Sequence, residues 1–237
     1  MPDQKIVVIS GAGISAESGL STFRDAGGLW EGYDLNEVAS IHGWNQDPEN
    51  VLDFYNLRRK QAAKAKPNSA HTALADLEEH FEVSIVTQNV DDLHERAGST
   101  QVLHLHGELR KARSVEDESI VIDIGSDPIK LGDTAGDGAQ LRPHVVWFGE
   151  MVPMIEPAAI EVSTADILIV VGTSLVVYPA AGLIDYAKTH IPKYIIDPSD
   201  PQLYDFDSWE HYRENAGTGV KKLADKLIKE YIKQNGE

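Results

Sequence analysis

The sequence predicts an α/β fold whose main domain is built on a parallel, Rossmann-like sheet. Short β-branched apolar runs, such as residues 5–9 and 167–171, are typical of strands that are buried on both faces. Glycine-rich or polar loops follow these runs directly, and amphipathic helical patterns lie between them. A chain of 237 residues can form one large domain with a smaller insertion.

The predicted elements alternate along the chain. The first strand covers residues 5–9, and a second apolar run at 83–86 leads into a cluster of polar residues. Helices are predicted over 48–66 and 69–81, the second capped by Asn68 or Ser69. The remaining predicted strands cover 102–106, 145–148, 167–171 and 194–196, and the closing helices cover 179–190 and 220–233.

Two stretches are longer than a simple crossover between strands requires. Residues 30–66 are predicted to form a helical insertion, and residues 107–144 a second inserted module. The second module contains many acidic residues and four glycines between 125 and 138, and we expect that part to be a mobile loop.

Composition excludes several classes of protein. The chain has no cysteine, which excludes disulfides, thiolate metal ligands and a cysteine nucleophile. Its net charge of -17 argues against direct nucleic-acid binding and favours basic partners such as lysine-rich segments. The sequence contains no apolar run long enough to span a bilayer, and its first residues lead into a strand rather than a secretory signal. These features predict a cytoplasmic protein without a membrane partner.

Polar or glycine-rich loops follow several predicted strands, where ligands bind in open α/β sheets. Gly11, Ala12 and Gly13 follow the first strand, a pattern that lets the backbone approach a pyrophosphate. The next glycine comes six positions after Gly13, so the spacing disfavours a standard dehydrogenase. Gly172 follows another apolar run and suggests a phosphate or ribose contact. Either glycine motif alone could be an ordinary turn.

The polar cluster after residue 86 and one histidine are further candidates. Asn89 and Asp91 could cap a helix or bind a ligand. His106 stands at a predicted strand end before Gly107, where it could act as a general base near neutral pH. An isolated histidine is nevertheless more often a core or surface residue.

Taken together, five ordered motifs are more specific than any one of them. They are GAGISAESGLSTFRD, TQNVDDLH, HLHGEL, RPHVVWFGE and GTSLVVYPAAG. Over nearly its whole length the chain resembles the sirtuin family, the NAD-dependent protein-lysine deacylases. The resemblance implies a Rossmann-like domain that carries a smaller domain built from two insertions.

The resemblance also implies a role for each site residue. His106 would be the catalytic base, assisted by Asn89 and Asp91. The expected NAD contacts are Gly11, Ala12, Gly13, Ile14, Phe23, Arg24, Gln88, Asn89, Asp91, Gly172, Thr173, Ser174 and Asp197. The expected contacts with an acyl-lysine substrate are Ala39, Tyr55, Arg58, Val145, Phe148, Gly149, Glu150 and Val176. The expected products are nicotinamide, O-acyl-ADP-ribose and free lysine.

One pair of residues bears on the acyl group. Tyr55 and Arg58 are three positions apart, on one face of a predicted helix. The sirtuin branch that prefers acidic acyl chains carries a similar Tyr-x-x-Arg pair, and a guanidinium with a phenol can bind the distal carboxylate of succinyl- or malonyl-lysine. Ala39 would leave room for the longer chain. The resemblance therefore predicts desuccinylase and demalonylase activity with deacetylase activity, although Tyr55 could simply pack and Arg58 be solvated.

The chain departs from the family pattern at several positions. Most sirtuins hold the second module together with four cysteines and a zinc ion, whereas Ser114 and Asp117 stand near those positions here. Serines and carboxylates are poor substitutes, so we expect a metal-free module. Asp197 replaces a common asparagine, but a carboxylate can still accept from ribose hydroxyls. A mono-ADP-ribosyltransferase or NAD hydrolase, and a non-catalytic NAD or ADP-ribose sensor, are the alternative functions.

Overall fold

A computed structural model of the chain describes residues 4–22, 29–30, 33–201 and 205–232. The strands are β1 (Lys5–Ser10), β2 (Leu29–Trp30), β3 (Tyr33–Asp34), β4 (Glu82–Thr87), β5 (Val102–His104), β6 (Gly107–Ser114), β7 (Val121–Asp123), β8 (Leu141–Val145), β9 (Ile167–Val171), β10 (Lys193–Ile196) and β11 (Glu210–Tyr212). The α-helices are α1 (Gly13–Ala16), α2 (Leu35–Val38), α3 (Ile41–Gln46), α4 (Pro48–Lys64), α5 (Ser69–Asp76), α6 (Leu93–Ala97), α7 (Ile155–Thr164) and α8 (Ala216–Leu227). Short 3-10 helices cover Leu77–Glu79, Ala180–Tyr186 and Phe206–Ser208, and a π-helix covers Ile228–Ile232.

The main sheet has six parallel strands in the order β11-β10-β9-β1-β4-β5. Its central strands are buried on both faces, with α5 and α8 packed on one side and α7 on the other. This arrangement confirms the predicted α/β fold with a Rossmann-like parallel sheet. The chain leaves β1 toward β4 but returns through β9 on its other side, so a crevice forms where the strand order reverses.

A second, antiparallel sheet has the order β7-β6-β8 and is called the small sheet below. Helices α2, α3 and α4 lie beside it, and an aromatic and aliphatic cluster that includes Phe54, Tyr55 and Trp147 fills the space between them. These elements lie within or close to the two predicted insertions. The predicted boundaries, 30–66 and 107–144, remain predictions.

Several predicted elements differ in extent from those observed. The segment 145–148 is not a strand: β8 ends at Val145, and the next residues form separate backbone bonds to His106 and Ala39. Residues 102–106 form a strand only as far as His104. The predicted helix over 179–190 is a 3-10 helix at Ala180–Tyr186, a stretch in which Gly182 weakens α-helical propensity. The helix from residue 69 continues only to Asp76 before a 3-10 turn, and Asn68 caps it as one of the two predicted candidates. The last predicted helix starts earlier, at Ala216, and residue 233 lies outside the described residues.

The glycine-rich segment 125–138 is mostly exposed but has one buried anchor, Ile129. Ile129 is only 2 % exposed, and its backbone N–H and C=O both bond the side-chain amide of Asn56 on α4, at 2.9 and 2.8 Å. The sequence did not reveal this apolar anchor or the amide that satisfies its backbone, and the mobility of the rest of the loop remains a prediction.

Among the described residues, no helix is both long enough and apolar enough to cross a bilayer. The cytoplasmic location remains a prediction.

Candidate active site

A cavity of about 680 Å³ opens at the carboxyl edge of the main sheet. This volume falls within the range of ligand pockets. It brings together most of the predicted site residues: Gly11, Ala12, Gly13, Ala39, Tyr55, Arg58, Gln88, Asn89, Asp91, His106, Val145, Phe148, Gly149, Glu150, Gly172, Thr173, Ser174, Val176 and Asp197 all line it. Phe23 and Arg24 lie outside the described residues.

Ile14 is the predicted contact that the structure does not place on this wall. It is fully buried and packs in the core between the main sheet, α5 and α8. Its carbonyl accepts a 2.7 Å hydrogen bond from Asn68 at the start of α5. Ile14 therefore supports the cavity floor from behind.

Two glycine turns, one after β1 and one after β9, pack directly against each other. Gly13 N–H donates to Gly172 O at 2.8 Å. A Cβ on Gly13 would lie 2.7 Å from Gly172 Cα, and one on Gly172 would lie 2.3 Å from the backbone nitrogen of Ile14. Gly172 also has a φ of +63°, which disfavours larger residues. Any side chain at these positions would push the two turns apart, so the cavity has a floor of bare backbone.

Asn89 and Asp91 are held by a small polar network at the end of β4. The Asn89 side-chain amide donates to Gly11 O at 3.2 Å and to Ser15 Oγ at 3.3 Å, and Ser15 Oγ in turn donates to Asp91 Oδ2 at 3.1 Å. Within the described residues, Asn89 Oδ1 has no hydrogen-bond partner. It can therefore accept from a ligand in the cavity.

Burial is the dominant influence on Asp91, which is 8 % exposed. It raises the pKa of the carboxyl above its usual value, against the lowering effect of bonds from Leu93 N–H and the Ser15 hydroxyl. A cationic group that arrives beside this carboxyl would favour its ionised form.

Ser15 is a site residue that the sequence interpretation missed. It joins the two predicted catalytic groups, Asn89 and Asp91, to each other. The feature of the sequence that could have indicated Ser15 is its position two residues after Gly13, in the short helix α1.

His106 lines the cavity, and the hydrogen bond of its ring suits a general base. Its Nδ1 lies 3.0 Å from Gln88 O. A carbonyl oxygen can only accept, so Nδ1 carries the proton, and Nε2 is the unprotonated nitrogen of the neutral ring. Burial lowers the pKa of His106, although the bond to Gln88 opposes the shift. The ring is therefore mostly neutral near pH 7 and can take up a proton at Nε2.

A buried polar cluster supports the strand ends from below. Ser10 Oγ lies 2.9 Å from both Thr87 Oγ1 and His94 Nε2. The His94 ring contacts that of His71 edge to face, with centroids 5.0 Å apart. Burial lowers the pKa of both histidines, to about 4 in His71, so both rings are neutral in the folded protein.

Helix α4 presents Tyr55 and Arg58 to the far end of the cavity. Asp47 caps the helix by accepting from Asn50 N–H at 3.0 Å, and Pro48 occupies its first turn. Tyr55 and Arg58 are 3 % and 6 % exposed, and burial raises the pKa of the Tyr55 phenol above its usual value. A neutral phenol and a buried guanidinium therefore form this part of the wall.

The turn 145–150 forms the adjoining part of the wall, where the Trp147 ring lies near that of Tyr55, with centroids 6.3 Å apart. Phe148 N–H donates to Ala39 O at 2.9 Å. The Glu150 carboxylate accepts two bonds from Arg142, at 2.6 and 3.1 Å, and one from Trp147 N–H at 2.7 Å. Glu150 thus shapes the turn, and the half-exposed Phe148 lines the cavity. Val176, also half exposed, lines the cavity from the loop after β9.

The remaining predicted cofactor contacts lie near the crevice. Gln88 Nε2 donates to Thr173 Oγ1 at 3.2 Å, which joins the loops after β4 and β9. Asp197 follows β10, is 6 % exposed, and accepts from Ser199 N–H at 2.9 Å.

Hydrogen bonds organise the end of β6 in the small sheet, where most sirtuins would carry zinc ligands. Ser114 Oγ donates to Asp137 Oδ2 at 2.6 Å and accepts from the N–H groups of Glu116 and Asp117, at 3.1 and 3.2 Å. In the described ranges, no cluster of three or more histidine, aspartate or glutamate side chains is arranged to hold a metal ion. A metal-free module remains a prediction, and Ser114 offers the means for it.

Comparisons with known proteins match this geometry to a family. A model of the Sir2 family matches residues 11–179. An "NAD-dependent protein deacylase" of Helicobacter pylori is 53 % identical over 225 residues, which is 95 % of this chain and 96 % of that protein. A protein of the same name from Bacteroides thetaiotaomicron is 50 % identical over 230 residues, 95 % of this chain and 98 % of that one. A crystal structure described as a Sir2 homolog–NAD complex is 40 % identical, covers 95 % of this chain and 90 % of its own, and superposes with a TM-score of 0.86. The chain belongs to the Sir2 family.

Proposed function

We propose that this chain is an NAD-dependent protein-lysine deacylase that prefers succinyl- and malonyl-lysine and removes acetyl groups less readily. The NAD-dependent deacylase activity is that of the named relatives, and an NAD complex is among the similar structures. The acidic-acyl preference rests on one observation: Tyr55 and Arg58 are buried side by side in the wall of the cavity that also contains His106.

The residues of the cavity fit NAD. Gly11, Gly13 and Gly172 leave backbone exposed where a Cβ would clash, as close approach of a pyrophosphate requires. Asn89 Oδ1 and the Asp197 carboxylate can accept from ribose hydroxyls. NAD, when bound, would supply a ribose carbon that becomes electrophilic as nicotinamide leaves.

The chain's own groups then orient the reactants, stabilise charge and move a proton. Asn89 is fixed by Gly11 and Ser15, so its amide oxygen is preorganised toward the ribose. The Asp91 carboxylate would stabilise the positive charge that develops there. The acyl oxygen of the substrate would bond to the ribose carbon that nicotinamide leaves. His106, neutral and unprotonated at Nε2, would take a proton from a ribose hydroxyl so that the oxygen can attack the acyl carbon. With one water consumed, the transfer would then give free lysine and O-acyl-ADP-ribose.

The acyl preference follows from the cost of burying charge. A succinyl or malonyl chain brings a carboxylate into the cavity, and a buried carboxylate needs a charged or hydrogen-bonding partner. The guanidinium of Arg58 and the neutral phenol of Tyr55 provide donors, while Ala39 keeps the adjoining wall small. An acetyl group gains nothing from these donors.

The test is turnover of one peptide that carries acetyl-, succinyl- or malonyl-lysine in turn, in wild type and in Arg58→Met. We expect kcat/KM for the two acidic groups to fall about tenfold or more in Arg58→Met, since a charge-assisted bond contributes roughly 1.5–3 kcal/mol. Deacetylation should change little. Lys60→Met is the matched control, because it removes a positive charge from the exposed side of the same helix.

Each other outcome has a definite meaning. Equal loss on all three peptides, or acetyl-dominant activity in the wild type, would return Tyr55 and Arg58 to structural roles. His106→Ala supplies the blank for all assays, and residual turnover in that variant would contradict the role of His106. Release of nicotinamide without deacylation would favour the transferase or hydrolase, and NAD binding without turnover would favour the sensor.

A further inference from the structure

His104, two residues before His106, contacts two groups that can only accept hydrogen bonds. Its Nδ1 lies 3.0 Å from the backbone oxygen of Asn89, and its Nε2 lies 2.7 Å from Glu95 Oε1. Neither a carbonyl nor an ionised carboxylate has a proton to give, so both ring nitrogens must donate. Only the imidazolium form of histidine does so. The side chain is 7 % exposed, which makes these two contacts its main environment.

The charges around His104 come from three segments: α6, β6 and the loop after β4. Glu95 on α6 and Glu108 on β6 favour its protonated form, whereas burial opposes it. Asp91 also faces it, His94 interacts with it unfavourably, and Lys111 partly offsets the two glutamates. Burial is the largest single effect and lowers the pKa of His104. The bond and charge of Glu95, the Asn89 carbonyl and the Glu108 charge together outweigh it, so the pKa is raised.

His104 and His106 therefore bond the carbonyls of two consecutive residues, but one ring is protonated and the other is neutral. His106 donates from Nδ1 to Gln88 O and keeps Nε2 free of its proton, and its pKa is lowered by burial. His104 donates to the next carbonyl, that of Asn89, and is protonated. The Asn89 side chain lies in the cavity, so its backbone anchor also sets the position of its amide.

We propose that protonated His104 is a positioning residue, which fixes the Asn89 backbone through Glu95 and makes deacylation decline in alkaline solution. When His104 loses its proton, the ring keeps one N–H and can no longer donate to Asn89 O and Glu95 at the same time, so the link from Glu95 to the Asn89 backbone is broken. This inference rests on the proposed deacylase function for its kinetic readout. It adds a second histidine that must be protonated, whereas the base His106 must be neutral.

The kinetic test is the pH profile of kcat/KM in wild type and Glu95→Gln. In the wild type we expect a bell in which the rising limb reports His106 and the falling limb, at higher pH, reports His104. Removing the Glu95 charge should move the falling limb to lower pH by about one unit and leave the rising limb in place. Glu95 is exposed at the surface of α6, so the variant should fold. Glu79→Gln, an exposed change in the 3-10 turn after α5, is the control, because Glu79 is not among the charges that act on His104.

A merely structural role for Glu95 predicts a different result. The rate would then fall by one factor at all pH values, or not at all, and the falling limb would stay in place. Either result would overturn the proposal.

A second measurement does not depend on activity. In protein labelled with ¹⁵N-histidine, NMR should show both nitrogens of His104 protonated at pH 7, while His106 shows a neutral ring. The His104→Gln variant identifies the signal. A neutral His104 at pH 7 would contradict the proposal even in an active enzyme, whereas a charged His104 in a protein without deacylase activity would contradict the proposed function alone.

Discussion

The main sheet and the small sheet are stabilised by different means. The central strands of the main sheet are buried from end to end between two large apolar clusters. The small sheet packs on two smaller clusters: Leu109 and Val145 join the aromatic cluster of α4, and Ala112 and Leu141 pack with Leu52 and Ile129. Its strand β7 is exposed throughout. Polar bonds from Ser114 and Asp137 connect its turns instead. The chain therefore buries most of its apolar area beneath the edge that carries the cavity, and adds local hydrogen bonds in the small sheet.

The greatest predicted loss of stability comes from a comparison of one isoleucine in each sheet. Ile169 on β9 is 1 % exposed, whereas Ile122 on β7 is 39 % exposed. Ile169→Ala should lower the free energy of unfolding by about 2–5 kcal/mol, since it removes buried methyl groups and leaves a cavity. Ile122→Ala should change it by less than about 0.5 kcal/mol. Urea titration measures both, and similar losses would show that the two sheets do not differ in this way.

Acid should destabilise the main domain through its buried histidines. In His71 the pKa is about 4 in the folded chain, against an ordinary value of 6.5. Between these values the unfolded chain binds a proton that the folded chain does not. The contribution of His71 to the free energy of unfolding is therefore fully present above pH 6.5 and is lost as the pH falls toward 4. The full loss is roughly 3 kcal/mol at ~1.4 kcal/mol per pKa unit.

Unfolding measured at pH 7.5 and 4.5 in wild type and His71→Gln tests this expectation. The variant should lose less stability than wild type, because it has no ring to protonate at that position. His190→Gln, at an exposed position, should behave as wild type does. An equal acid loss in all three proteins would place the sensitivity elsewhere.

The smallest effect should come from the small sheet. Ser114→Ala removes the bond to Asp137 and leaves the N–H groups of Glu116 and Asp117 without their acceptor. We expect a loss of about 1–2 kcal/mol, detected as faster hydrogen exchange in residues 114–141 before any global change.

Metal removal provides the matching control for the small sheet. A chelator should leave the stability of the wild type unchanged if the module needs no zinc. One equivalent of tightly bound zinc in the purified protein, or a marked destabilisation by the chelator, would refute the metal-free prediction.

The parts of the fold that the sequence predicted are those with a strong local pattern. The β-branched runs at 5–9, 83–86 and 167–171 can hardly be exposed, and they form the centre of the main sheet. The small sheet was missed because β6 is rich in charged residues and β7 has no buried face. The edge strand β11 has only three residues and shows no alternation. Tertiary pairing, rather than local propensity, defines these strands.

The candidate site was predicted where strand ends carry unusual residues. Gly13, Asn89 and His106 stand out in the sequence and line one cavity. Ser15 and the contact between His104 and Glu95 did not stand out, because their importance depends on distances between segments that the sequence does not contain. Ile14 is the opposite case: it lies inside a recognisable motif, but in the structure it is a core residue and does not line the cavity.

The Asn56 amide has a consequence for redesign. On helix α4 it lies between Tyr55 and Arg58, which face the cavity, yet it bonds both backbone groups of Ile129 and accepts from Arg59. Arg59 also donates to Leu109 O on β6. A chimera that borrows this helix from a relative to obtain another acyl selectivity would cut these bonds unless residues 125–138 were transferred with it. Helix α4 and this loop therefore form one structural unit, and a test of the proposed acyl preference by exchange must move both, although they are more than sixty residues apart in the sequence.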